Sequence, residues 1–387
     1  MTEKLYYIDS HMRDFGARVL ECRELEKGWA IILDRSAFFP EGGGQLADTG
    51  VIGSVRVRDV QLEGDTIVHY TDGPLPAGDT VICRIDWEKR LRRMQSHSGE
   101  HIVSGIVHKL FGYDNVGFHM GEFIIIDFSG ELSWEQLMQV EKLANEAVRE
   151  NVSVRCFFPS ERELKNLEYR SKLELTEDVR LVEIEDIDLC ACCAPHVERT
   201  GEIGIIKVID SMRHRGGVRV TLLFGMDAVE DYRRKQENAT EISMALSVKR
   251  DDIAPAVRKL LEEQQRQKER IARLSMALAA AKAEAVEKTE GNICVFDNVL
   301  DEVATRELVN LLAPKCGGIA AVFHGDDESG YRYIIGSRTV NLRAAGKKIN
   351  AGIKGKGGGS PEMIQGRAEE KAKTISEYVN TLDVYTI

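Results

Sequence analysis

Two residue pairs carry the most chemistry in this sequence. His97 and His101 stand four apart in WEKRLRRMQSHSGEHIVSGIVHKLFG, and Cys192 and His196 stand four apart in CCAPH. On a helix of about 3.6 residues per turn, side chains four apart share a face, roughly 5 to 6 Å apart at Cβ, which suits two ligands of one zinc ion. Pro195 disfavours a continuous helix at the second pair, so a turn presents it. Cys190 and Cys193 compete with Cys192, but only Cys192 keeps the four-residue spacing to His196. Three protein ligands plus water make such a site catalytic, and four make it structural. The sequence leaves both open, and leaves His196 open as a ligand or a partner of the attacking water. In the catalytic case a zinc-bound water of pKa about 7 attacks a carbonyl, and Glu100, beside His101, is the candidate general base.

The same HSGEH residues also read as H-x-x-E-H, the inverted-zincin pattern of metallopeptidases, with Glu174 or Glu177 as a downstream ligand. That reading leaves Cys192 and His196 unused. A third option is a closed site that only holds the fold of an RNA-binding protein or scaffold.

The elements that must position these residues follow from periodicity. Alternation in ARVLECREL, WAIILD, VRVRDVQLE and DTIVHYTDG makes residues 1–86 β-rich, a small barrel or sandwich. At Asp86 the pattern turns helical, with Ile102, Ile106 and Leu110 four apart. SWEQLMQVEKLANEAVREN predicts an amphipathic helix capped by Ser133 or Ser129. From about Asp227 to Glu290 the chain reads as helical with a break near 248–252. An apolar stripe (Val257, Leu260, Leu261, Ile271, Leu274, Leu278) then needs a partner helix or a second chain. The expected fold is α+β and multidomain: a barrel-like N-terminal domain (1–86), an α+β zinc domain (87–226), a helical hairpin or coiled-coil linker (227–291) and a small α/β domain (292–387).

The 387 residues carry a formal charge of −11, which argues against a sequence-indifferent nucleic-acid binder but not against local basic patches. No apolar run reaches the ~18 to 20 residues of a membrane span, and the start lacks a signal-peptide pattern. Eight cysteines, scattered except for the three packed into CACC, suit free thiols and a metal. A cytoplasmic protein is expected.

With FFPEGGGQLADTG (Phe38 to Gly50) ahead of the histidine pair and TGEIGIIKVID after His196, residues 30–225 resemble the editing domain of alanyl-tRNA synthetases and of the free-standing AlaX proteins. The resemblance implies a Zn2+-dependent deacylase acting in trans on tRNA(Ala) carrying a wrong amino acid, chiefly serine and secondly glycine. It implies His97, His101, Cys192 and His196 as metal positions, with Gly42, Gly43, Gly44 and Gln45 near the substrate. His119, in GFHMG, falls where synthetase editing sites often have Gln and is implied to shape the pocket. Thr49, His119 and the zinc itself are candidates to read the serine hydroxyl. CCAP replaces the Cys-Gly-Gly-Thr of many relatives, which touches amino-acid specificity and not the metal. GIKGKGGGSPEMIQG (Gly352 to Gly366) resembles the glycine-rich signature of the synthetases' C-terminal domain, shared with DHH-type phosphoesterases; no Asp-His-His triplet accompanies it.

An RNA partner needs basic residues, and Arg343, Lys347, Lys348, Lys354, Lys356 and Arg367 concentrate around that segment, where glycine backbone can approach phosphates. A second set (Lys89, Arg90, Arg92, Arg93, with Arg213, His214, Arg215 and Arg219) is placed to guide the acceptor stem. Residues 227–291 or the C-terminal domain are the candidate homodimer contacts.

Overall fold

The computed structural model describes residues 2–171 and 179–383. Glu174 and Glu177 lie outside the described residues. The first 85 residues form strands: β1 (Glu3–Lys4), β2 (Asp14–Glu24), β3 (Trp29–Leu33), β4 (Arg35–Ser36), β5 (Gly50–Ile52), β6 (Val55–Glu63), β7 (Thr66–Thr71) and β8 (Thr80–Ile85). Alternation sets their inward face: in β2, Phe15, Ala17 and Val19 are buried between exposed neighbours. A register shift between Val57 and Asp59 lets both Val57 and Val60 point inward in β6. Strands β2, β3, β7, β6, β5 and β8 pair in that order, and β8 pairs back with β2, so the strands form a ring; β1 and β4 make a separate parallel pair.

Next come α1 (Trp87–Phe111), β9 (Asn115–Met120), β10 (Ile124–Phe128), α2 (Trp134–Glu150), β11 (Val154–Phe157), α3 (Glu161–Leu164), β12 (Leu181–Ile184), β13 (Asp188–Ala191), β14 (Ile206–His214), β15 (Gly217–Phe224) and α4 (Gly225–Leu246). Ser133 caps α2 in a full capping box with Gln136. Strands β14-β15-β10-β9 form one antiparallel sheet and β11-β12-β13 another. The face of α1 bearing Met94, Ile102, Val103 and Ile106 shares a core with Leu137, Val140 and Ala144 of α2 and with Val220 and Leu222 of β15.

The expected N-terminal barrel-like domain needs correction: the strand ring is not a domain of its own. The chain divides into two compact units, Met1–Ala239 and Thr240–Ile387, and the ring shares the first with α1. Arg90 of α1 shows why. Fully buried, it donates to Ser10 O at 3.0 Å and from Nε to Asp48 Oδ2 at 2.9 Å. Ala194, from the segment between Cys192 and His196, joins the ring's apolar core. The span expected as a helical linker, 227–291, holds most of α4 and the whole of α5 (Ile253–Glu284); the boundary between the units falls inside α4, and α5 belongs to the second unit. Leu260, Leu261, Ile271 and Leu274 stay exposed on α5, so the described chain leaves that stripe uncovered.

The second unit continues with β16 (Ile293–Phe296), α6 (Glu302–Leu312), β17 (Ala320–Asp326), β18 (Gly330–Gly336), α7 (Leu342–Gly352), β19 (Gly355–Gly359), β20 (Met363–Ala368) and α8 (Ala372–Thr381). Its sheet runs β16-β17-β18-β20-β19, parallel only between β16 and β17. Alternate residues feed two cores. Ala321, Phe323, Tyr333 and Ile335 meet α7 and α8, whereas Ala320, Val322 and Ile334 meet α6 and the end of α5. No helix among the described residues is long and apolar enough to cross a membrane.

Candidate metal centre

Helix α1 projects His97 and His101 toward the segment that follows β13. Their ligand atoms and those of Cys192 and His196 all lie within 4.8 Å of one another. Cys192 Sγ is 3.5 Å from His97 Nε2 and 3.3 Å from His196 Nε2. Tetrahedral zinc, with bonds of about 2.0 to 2.3 Å, separates its donors by roughly 3.3 to 3.6 Å. The donor set therefore fits a metal ion.

Each histidine is held from behind through Nδ1, which turns Nε2 inward. His97 Nδ1 donates to Gln45 Oε1, His101 Nδ1 to Asp188 Oδ2 and His196 Nδ1 to Ser98 Oγ, each at 3.0 Å. Such outer partners set the tautomer and orient the ring of a ligating histidine. Arg170 grips Asp188 with Nε at 2.7 Å and Nη2 at 2.8 Å. Arg180 Nη1 donates to the carbonyls of Cys192 (2.9 Å) and Ala194 (2.8 Å), fixing the turn that Pro195 makes non-helical.

Burial and neighbouring groups shift the donors in different directions: burial lowers the His101 imidazole, but its bonds to Asp188 and Cys192 outweigh that and hold it well above its ordinary value. Burial pushes the Cys192 thiol up, but His97 and His196 beside it outweigh that and hold it well below its ordinary value. Burial takes the His196 imidazole down to about 3 against the pull of Cys192. Burial raises the Asp188 carboxyl, yet hydrogen bonds from His101 and Arg170 keep it below the usual carboxylate range. A thiolate and a neutral imidazole are the forms that bind metal.

Glu100 is also buried here. Its Oε1 accepts from Ser104 Oγ at 2.6 Å and from Asn115 Nδ2, and its Oε2 lies 3.8 Å from His101 Nε2. The glycine segment arrives as a tight turn: Gly42 and Gln45 exchange backbone hydrogen bonds across Gly43 (φ +60°) and Gly44 (φ +83°), the I′ geometry that glycine alone adopts without strain. A Cβ on Gly43 would sit 3.4 Å from Cys193 Sγ, and one on Gly44 only 2.7 Å from the Phe118 ring, which itself lies 5.0 Å from the His97 ring. Gln45, Gly43 and Gly44 thus border the donor cluster.

Two sequence-predicted residues are not brought to it. Thr49 donates to Asp86 Oδ2 at 2.6 Å, at the start of α1. His119 is exposed, and because Phe118 faces His97, the next side chain of the strand points to the opposite face. Of the second basic set Arg90 is buried, exposed Arg92 pairs with Asp227, half-buried Arg219 grips Asp127 at 2.7 and 2.8 Å, and Lys89, Arg213 and Arg215 are exposed. Sequence reasoning missed Ser98, Ser104, Asn115, Arg170, Arg180 and Asp188. Asp188, four residues before Cys192, carried a positional hint; the others carried none. Among the described residues, the donor group that holds both His97 and His101 is completed by Cys192 and His196; Glu174 and Glu177, the ligands the H-x-x-E-H peptidase reading needs, lie outside the described residues. All eight cysteines are free thiols.

Residues 179–221 match the threonyl and alanyl tRNA synthetase second additional domain, and residues 6–89 match the class II (A) tRNA synthetases. The alanine–tRNA ligase of Ignicoccus hospitalis is 31% identical over 388 residues, covering 96% of this chain and 42% of the ligase. That of Pyrococcus abyssi is 30% identical, with 96% and 42% covered. The alanyl-tRNA editing protein Aarsd1 of Rattus norvegicus is 25% identical over 406 residues, covering 96% of this chain and 97% of that protein.

Over nearly its whole length the chain is similar both to an alanyl-tRNA editing protein and to part of the alanine–tRNA ligases. It spans about two-fifths of the ligases it matches, but nearly the full length of the editing protein. The 179–221 match runs from β12 through most of β15 and contains Cys192 and His196.

Proposed function

We propose that this chain hydrolyses the ester of tRNA(Ala) carrying a wrong amino acid, seryl-tRNA(Ala) first and glycyl-tRNA(Ala) second, acting in trans in the cytoplasm with Zn2+ on His97, His101, Cys192 and His196. A four-donor set alone also suits a structural ion. What favours hydrolysis is Glu100, a buried carboxylate whose Oε2 stands 3.8 Å from a ligand nitrogen. Similarity to an editing protein over the whole chain points the same way.

With one of the four donors, His196 first, giving up its place to water, bound zinc would supply a water acidic enough to ionise near neutral pH. Ser104 and Asn115 hold Oε1 of Glu100, so that its other oxygen keeps one orientation toward the donors. Glu100 takes a proton from the attacking water and returns it to the departing ribose oxygen. The Gly43–Gly44 tip offers backbone N–H groups to the substrate, while Gln45 keeps His97 in register. Thr49 and His119 remain assigned to the serine hydroxyl. Thr49 is engaged by Asp86 and His119 faces outward, so either needs a rearrangement when substrate binds.

Exposed cations of the second unit contact the tRNA: Arg343, Lys347 and Lys348 on α7, with Lys354 and Lys356 at the glycine strand. The uncovered α5 stripe is the homodimer contact, checked by sedimentation of Leu260→Glu/Leu274→Glu, which should shift toward monomer.

The deciding experiment offers the purified chain seryl-, glycyl- and alanyl-tRNA(Ala), with and without chelator. Chelator-sensitive loss of the seryl ester with alanyl ester spared is expected. Persistent seryl-tRNA(Ala) at full zinc loading would falsify the reading.

A further inference from the structure

The sheet of the second unit lines up cations that are scattered in sequence. His324 on β17 lies opposite Arg332 on β18, Arg332 opposite Arg367 on β20, and Arg367 opposite Lys356 on β19. Directly opposed residues project from the same face of a sheet. Neighbouring strands lie about 4.8 Å apart, so the row runs roughly 14 Å across four strands. All four residues are exposed.

Two observations mark the row as a surface awaiting an anion. Among the described residues no acidic side chain pairs with Arg332, Arg367 or Lys356, whereas nearby Lys354 is paired with Glu370 at 2.7 Å. Like charges directly opposed across strands cost stability, and this row stands in a chain of net charge −11. His324 is oriented by its own bond, Nδ1 donating to Asp297 O at 3.0 Å, which leaves Nε2 as its second polar atom.

The surroundings fit a long ligand better than a point anion. Beside Lys356 on the same face stands Gly358, where an added Cβ would meet nothing within 4 Å. Strand β19 is the edge of the sheet and is glycine at all positions but Lys356, so its backbone is open to close approach. The row shares its face with Val322 and Ile334, on the side packed by α6, while α7 packs on the other side against Phe323 and Tyr333.

We propose that His324, Arg332, Arg367 and Lys356 form a track for an RNA phosphodiester backbone, read by charge and not by base. A single phosphate would engage one or two of these cations, but a chain of phosphates can engage the whole row. This rests on the reading of tRNA as partner and adds to the α7 cations a second surface, on the face of the sheet opposite to α7.

The test uses the full chain and unacylated tRNA(Ala), with Kd measured across a salt series. Arg332→Gln/Lys356→Gln/Arg367→Gln should weaken binding roughly 10- to 100-fold near physiological salt and lower the salt slope by about 2 to 3. The charge-matched control Arg258→Gln/Lys259→Gln/Lys268→Gln, on exposed α5, should leave the slope in place. The row variant should melt no lower than the parent, because it relieves repulsion. An unchanged slope in the row variant, an equal loss in the control, or no binding by the parent chain overturns the track. The editing reading fails separately: a parent chain that leaves seryl-tRNA(Ala) intact while the row still sets the slope loses the activity and keeps the track.

Discussion

Asp188 Oδ2 accepts a hydrogen bond from His101 Nδ1 at 3.0 Å while Arg170 holds the same carboxylate through both oxygens. This chain of three residues fixes the ring of a proposed metal ligand from a strand 87 residues away in sequence. Asp188→Asn should therefore lower metal affinity by roughly 10- to 100-fold. Competition against a chromophoric chelator reads that loss directly. Unchanged affinity would mean that the helix alone orients His101.

Glu100→Gln keeps the shape of the side chain but cannot take a proton. Hydrolysis of seryl-tRNA(Ala) should fall by about 10²- to 10⁴-fold, with metal content unchanged. Single-turnover rates alongside metal analysis make the measurement. A parallel loss of metal would recast Glu100 as a support for the ligands.

Gly105 lets α1 meet the turn before β13. A Cβ there would stand 2.6 Å from Ile187 O and 2.8 Å from the Asp188 Cβ, and neither backbone nor a buried strand start yields cheaply. Gly105→Ala should cost roughly 1 to 3 kcal/mol in denaturant unfolding. It should also weaken metal binding, because it pushes Asp188 away from His101.

His69 should give the fold an acid limit. It is fully buried, with Nδ1 donating to Ile31 O at 3.0 Å and Ser36 Oγ 2.8 Å from Nε2, and burial takes its imidazole down to about 4. The unfolded chain titrates near 6.5, so the folded state binds fewer protons between those values. Stability is full above about 6.5 and is lost as pH falls toward 4, by roughly 3 kcal/mol from this group. Urea unfolding at pH 7 and pH 4.5 would show the slope, and His69→Asn should flatten it. An equal slope in the variant would assign acid sensitivity elsewhere.

Local periodicity made part of this protein legible. A helix repeats every 3.6 residues wherever it sits, so the spacing of His97 and His101 already placed them on one face of α1. A cap at Ser133 or Ser129 marked the start of α2, which the structure gives to Ser133, and the helical run showed its break before α5. The proline of CCAPH already argued for a turn, and the spacing already favoured Cys192.

What only tertiary structure decided depends on contacts between distant segments. Nothing local sets Asp188 behind His101, Gln45 behind His97 or Ser98 behind His196, because those pairs exist only once α1 packs against β13 and the glycine turn. Arg90 looked like a surface cation in a basic run, yet burial against Asp48 ties the strand ring to α1. His119 and Phe118 are adjacent in sequence, and strand direction alone sends one to the donors and the other to solvent. Sheet register brought Arg332, Arg367 and Lys356 into one row, since a shift by a single residue would have sent them to different faces.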